Sequence, residues 1–242
     1  MRRPAAAVIL IISLFMAGLA IAGQLSDGAD ANDRGDDNTA FRLLKPLAEQ
    51  GDAYAQYNIG LMYRLGKGVP EDDSEAVKWY RKAAEQGYAD AQKAMGFMYM
   101  LGMGVSQDLP EAVKWFRKAA EQGHADGQNY LGLMYLLGSG VSQDYSEAVK
   151  WFRKAAEQGN PEAQISLGLM YDEGKGVPKD YITAYMWLNL SVSGHPSSDV
   201  GYGAAARSYR DRVASKMTPA QIAEAQRLAR EWKPKKEEEK KR

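Results

Sequence analysis

The side chains best suited to catalysis or metal binding are scarce in this sequence. His124 and His195 are the only histidines in 242 residues, and there is no cysteine. A zinc site, or a nucleophile with its base, needs several ligating or proton-relaying groups at defined spacing. Neither histidine has such a neighbour. His124 occupies a slot filled elsewhere by Tyr88 and Asn160, and His195 stands in a turn before Pro196. The lack of cysteine removes disulfides, thiolate chemistry and Cys-based zinc sites. Gly60–Gly68, GLMYRLGKG, has the glycines of a phosphate-cradling loop. It lacks the four-residue gap, the Ser/Thr after the lysine and the preceding strand that such a loop requires. Met103 and Ser139 later take the place of Lys67, so the glycines are read as structural. Asp27, Asp30, Asp33, Asp36 and Asp37 lack the glycine and terminal glutamate of a calcium loop. Asp72, Asp108, Asp144 and Asp180 fall in separate copies of a repeated unit and are read as helix caps. The expectation is a protein with no catalytic residue, no metal and no cofactor, and hence no enzyme activity.

The elements that would position any site are visible as a repeat. SEAVKWYRKAAEQG, ending at Gly87, returns as LPEAVKWFRKAAEQG ending at Gly123 and YSEAVKWFRKAAEQG ending at Gly159. Trp79, Trp115, Trp151 and Trp187 are each 36 residues apart, a period that signals an architecture rather than an isolated motif. Each copy holds two helical patterns. In the first, helix A covers about Ala53–Leu65 and helix B about Asp73–Gln86, with apolar positions at the 3.6-residue period. Gly60, Gly96, Gly132 and Gly168 fall inside helix A, where glycine is about 1 kcal/mol worse than alanine. Close approach of helix B is the expected reason. GKGVPED and its counterparts join the two helices, with glycines suited to positive φ.

The framework A-x-x-x-[IML]-G-x-x-Y-x-x-G-x-G-V followed by D-x-x-x-A-V-K-W-[YF]-x-K-A-A-x-x-G resembles the Sel-one-like repeat of the tetratricopeptide superfamily. Copies at 52–87, 88–123 and 124–159 match closely. The copy at 160–194 drifts after Trp187, where Ser191 and Val192 replace paired alanines. The resemblance implies an all-α fold, a right-handed α-solenoid of stacked helix-turn-helix units capped by C-terminal helices. Its framework residues here are Gly60, Tyr63 and Trp79, then Gly96, Tyr99 and Trp115, then Gly132, Tyr135 and Trp151, then Gly168, Tyr171 and Trp187. It also implies scaffolding rather than one chemistry. The partner would lie on the concave face lined by the A helices.

Mapped by that resemblance, the contact residues are Tyr54, Tyr57 and Arg64 in the first copy and Asp90, Lys93 and Met100 in the second. The third offers Asp126, Asn129 and Leu136, and the fourth Glu162, Ile165 and Asp172. Leu61, Phe97, Leu133 and Leu169 share this face and are read as core. The expected partner is a protein or peptide. Two alternatives stay open: a periplasmic regulator of a membrane sensor, and an enzyme directed at cell-wall peptides. With Lys+Arg and Asp+Glu both 31, there is no basic excess to hold nucleic acid. With 45% apolar and 26% charged residues the chain reads as folded.

Arg2 and Arg3, the apolar run Ala5–Leu19 and the small-x-small Ala20-Ile21-Ala22 form an export signal over 1–22, cleaved after Ala22, or else an uncleaved anchor. Residues 23–38 are expected as a flexible acidic linker and 39–51 as a half repeat, with a late start or kink at Pro46. Residues 195–232 are expected as capping helices, the last opened by a capping box at Thr218. Residues 233–242 are expected as a charged disordered tail. The expected location is periplasmic or secreted, with membrane contact only through an uncleaved N-terminus.

Overall fold

The computed structural model describes residues 23–194 and 201–235. The expected export signal over 1–22, His195 and tail residues 236–242 lie outside them. The described secondary structure is all α-helical, built on the 36-residue repeat of an α-solenoid. No helix among the described residues is long and apolar enough to cross a membrane. The chain divides into two compact units, Met1–Gln107 and Asp108–Arg242.

The first unit contains α1 (23–33), α2 (Asp37–Glu49), α3 (Ala53–Leu65), α4 (Asp73–Glu85) and α5 (Ala89–Leu101). Each of α2, α3 and α4 packs on the helix that follows it. Local chemistry sets the helix ends. Asp52 accepts from the Ala55 amide at 2.7 Å, and Asp72 from the Glu75 amide at 3.0 Å, each satisfying a donor the helix leaves open. Gly66 stops α3 at φ 65°, a left-handed geometry open to glycine at little cost. Inside α3, a Cβ on Gly60 would stand 2.7 Å from the Tyr80 ring of α4, so the glycine is what lets the two helices meet. The loop after α5 makes a similar close approach. Gly104 has φ 66°, and a Cβ there would meet the Asp73 carbonyl oxygen within 2.2 Å, so this loop lies directly on the start of α4.

Two expectations for this unit are corrected. Residues 23–33 are helical, not a flexible linker, and Ala31 is fully buried in a cluster with Leu44, Leu47, Ile59 and Trp79. A Cβ on Gly28 would lie 2.7 Å from Leu44, the same close approach that Gly60 makes to Tyr80. The half repeat is therefore the second helix of a hairpin whose first helix is α1. Helix α2 also starts well before Pro46, at Asp37, and includes it, with Asp36 capping its start through the Thr39 amide, so the late start is overturned.

The second unit contains α6 (Leu109–Glu121), α7 (Ala125–Leu137), α8 (Tyr145–Glu157), α9 (Pro161–Glu173), α10 (Tyr181–Gly194), α11 (Tyr202–Ala214) and α12 (Pro219–Glu231). Helices α6 to α10 stack in sequence, and α10 also packs against α11 and α12. Ala184, Tyr185 and Leu188 of α10 share a core with Ala206 and Val213 of α11 and Ala225 of α12. The Thr218–Gln221 capping box forms as expected. The tail departs from expectation at its start. Trp232 meets Trp187 edge-on at 6.0 Å, and the Lys235 amide donates to the Glu157 carbonyl at 2.8 Å. Residues 233–235 thus lie along the end of α8.

A polar ladder missed in the sequence runs through both units. Buried Gln56 and Gln92 donate to the Ala48 and Ala84 carbonyls at the end of the preceding helix. Gln128 and Gln164 do the same to Ala120 and Ala156. Each bond adds a side-chain donor to a last-turn carbonyl that also accepts from the amide of Gly51, Gly87, Gly123 or Gly159. The signal was available, since these glutamines also recur every 36 residues.

Candidate binding groove

The first helices of successive hairpins, α3 and α5, leave a groove of about 340 Å³ in the first unit. Tyr57, Leu61 and Arg64 come from α3, Tyr80 from α4, and Lys93, Ala94, Phe97, Met98 and Leu101 from α5. The helical period explains the set. Positions 57, 61 and 64, like 93, 97 and 101, lie on one face at spacings of three and four. Leu61 and Phe97, expected as core, are half-buried and line the groove. Leu101 is 58% exposed, so its apolar surface is available at the groove edge.

The groove's polar groups are arranged around this apolar floor. Lys93 pairs with Asp90 at 3.4 Å. Tyr80 interacts with Arg64 through its hydroxyl. Burial, with the Asp90 carboxylate adding to it, raises the Tyr57 phenol above its ordinary range. Burial likewise raises Tyr80, so both phenols remain protonated donors near neutral pH. The rings of Tyr57 and Tyr80 stand 5.7 Å apart, and Tyr57 and Tyr88 5.4 Å. Tyr54 meets Tyr88 edge-on at 6.4 Å beside this cluster. Met100 is half-buried outside the groove lining, and its carbonyl accepts from Gln107 at 2.9 Å.

The second unit has a cleft of about 390 Å³ at the end of α7 and along α9, lined by Leu136, Leu137, Tyr145, Leu169, Glu173 and Lys175, among others. Lys175 and Glu173 pair at 2.7 Å on its rim. Of the expected contact residues in this unit, Leu136 lines the cleft. Asp126 accepts from the Asn160 side chain at 2.9 Å, and Glu162 is half-buried in the first turn of α9.

Three expected contact residues are corrected. Asn129, Ile165 and Asp172 are buried. Ile165 packs with Val213 and Ala206, because α11 occupies the face of α9 that the sequence reading left open. Asp172 is held there by Arg212 of the same helix and by Lys216 in the turn after it. Asn129 is buried within α7, with its Oδ1 lacking a hydrogen-bond partner. His124 has a local role the sequence did not suggest: its Nδ1 accepts from the Gly127 amide at 3.1 Å and caps α7.

The framework residues lie inside each unit. Trp79 is 6% exposed, and Trp115, Trp151 and Trp187 are also buried. Gly60, Gly96, Gly132 and Gly168 are buried within their helices. Half-buried Tyr99, Tyr135 and Tyr171 accept hydrogen bonds from Arg81, Arg117 and Arg153 of the preceding second helices. Tyr63 packs edge-on against Phe41 at 5.8 Å. Among the described residues, no three His, Asp or Glu side chains gather as a metal-binding group.

Comparison with known proteins follows this geometry. The Sel1 repeat profile matches residues 16–52, 53–88, 89–124, 125–160 and 161–194. The first match makes a whole repeat of what the sequence reading took as half of one. A crystal structure of a Sel1 repeat protein from Oxalobacter formigenes is 32% identical, with a TM-score of 0.67 over 81% of this chain and 86% of that one. The c5321 protein, a protective antigen of uropathogenic Escherichia coli displaying an SLR fold, is 30% identical, with a TM-score of 0.56. That match covers 88% of this chain and 53% of c5321. No curated protein sequence matches.

Proposed function

The chain belongs to the Sel1 repeat family, and from that premise we propose that it is a non-catalytic adaptor whose A-helix groove holds a segment of a partner protein. The observation that carries this reading is the groove between α3 and α5. Leu61, Phe97 and Leu101 give it an apolar floor, and Tyr57, Arg64 and Lys93 supply donors beside that floor. Aromatic, apolar and arginine side chains around a concavity are the combination that dominates binding energy at protein interfaces. A groove between parallel-running elements suits an extended or helical segment rather than a small molecule.

Export is part of the proposal. Arg2 and Arg3, followed by Ala5–Leu19 and Ala20-Ile21-Ala22, support a cell-envelope or secreted adaptor. The test is affinity capture from the envelope fraction with the native chain and with a Leu61→Asp/Phe97→Asp variant that retains its helix content. The native chain should retain a partner protein that the variant loses. Equal retention by both would move binding away from the groove, and capture of no protein would count against the adaptor role.

A further inference from the structure

We infer that the segment received by the groove of the first unit is acidic, with carboxylates flanking one aliphatic or aromatic anchor residue. The inference rests on the adaptor reading above and adds to it the chemistry of the partner.

The residues lining this groove include two cations, Arg64 and Lys93, and no carboxylate. Lys93 has a neighbouring counter-charge in Asp90 at 3.4 Å. Arg64 differs. Its neighbour is the neutral Tyr80 hydroxyl, and no ion pair to a carboxylate is made by Arg64 among the described residues. A guanidinium half-buried beside Leu61 and Phe97 has lost part of its hydration. A planar, two-pronged interaction with a carboxylate would replace it well. The half-buried Tyr57, on the groove wall, adds a phenol donor that also favours an acceptor-rich ligand. The apolar floor, edged by Leu101, calls for a hydrophobic side chain between the charges. A basic segment would meet two cations here, and like charges brought together at an interface are strongly disfavoured.

The experiment pans a phage-displayed library of random peptides on the full immobilised chain. It runs in parallel on Arg64→Ala/Lys93→Ala and on Arg64→Lys/Lys93→Arg, each checked for native helix content. Enrichment of Asp- and Glu-flanked apolar residues on the native chain is the expected result. Affinity for those peptides should fall about tenfold or more in the alanine variant, as loss of charge-assisted bonds implies. It should weaken with added salt and fall less in the Arg64→Lys/Lys93→Arg variant than in the alanine variant, since lysine keeps the charge of Arg64 but not its two-pronged geometry. Enriched peptides that are basic or uncharged, or acidic peptides bound equally by the alanine variant, would overturn the inference while leaving a groove-binding adaptor standing. Enrichment of no peptide at all would overturn the adaptor reading itself, and this inference with it.

Discussion

Arg212 on α11 places its guanidinium 3.2 Å from the Asp172 carboxylate on α9, although 40 residues separate them in the chain. Lys216, in the turn that follows α11, reaches the other oxygen of the same carboxylate at 2.5 Å. Asp172 is only 3% exposed at its side chain, while both cations keep much of their contact with water. A buried carboxylate is tolerable only when paired. The clasp therefore fixes α11 over the face of α9 that, in the first unit, α3 and α5 present as a groove.

Removing both partners should loosen that cap. Arg212→Ala/Lys216→Ala leaves Asp172 buried without a counter-charge. After allowance for the exposure of the two cations, the cost is about 1–3 kcal/mol. Hydrogen exchange should accelerate across α11 and α12 and stay unchanged in α6 and α7. Unaltered exchange in α11 would show that the Val213 and Ala206 contacts hold the cap without the clasp.

Trp79 has the Lys45 and Lys82 ammonium groups over its ring, 4.2 and 4.0 Å from the ring centre, and is otherwise buried. Trp79→Ala should cost about 3–5 kcal/mol, since it removes a large buried ring from a packed core. Urea denaturation of the variant checks this. A loss no larger than that of a surface substitution would place the indole outside the core.

The glycines should separate into two classes. Gly60→Ala gains helix propensity but forces a methyl against the Tyr80 ring, so the net cost is about 1–3 kcal/mol, typical of overpacking. Gly104→Ala meets backbone rather than a side chain, at positive φ, and should be the more destabilising of the two. Denaturation midpoints measured side by side test the order, which reversal would refute.

Alkaline pH should destabilise the first unit. Burial raises Tyr88 from the ordinary 10.0 to about 12, and raises Tyr57 and Tyr80 as well. Between those values the unfolded chain releases the Tyr88 proton while the folded chain keeps it. Fewer protons are then bound unfolded than folded, so stability is full below pH 10 and declines as pH climbs toward 12. Tyr88→Phe should flatten that decline in thermal melts across this range. An identical slope in the variant would exclude Tyr88 as its source.

The period made much of this legible in advance. Asp73 and Leu65 bound helices where the sequence pattern put them, because caps and left-handed glycines are local devices. The leading hairpin escaped because the stretch from Gly28 to Asp36 is four residues shorter than the one from Gly60 to Asp72, and it has no Gly-x-Gly-Val loop. Its aspartates read as linker, while one of them, Asp36, is a cap. In the groove, Tyr57, Arg64 and Lys93 were legible from helical spacing and from a resemblance of the repeat. Ile165 and Asp172 occupy the same slots by spacing, yet a helix 40 residues away covers them. No local pattern carries that information, since it depends on where α11 packs.

In the proposed complex a partner segment sits against α3 and α5. The most direct test places a photo-crosslinking residue at Phe97 in the groove and, in a second protein, at Lys78, which is 64% exposed on α4. Irradiation of intact cells should yield an adduct with a discrete partner protein from position 97 and none from position 78. Adducts from position 78 alone, or from neither position, would contradict it.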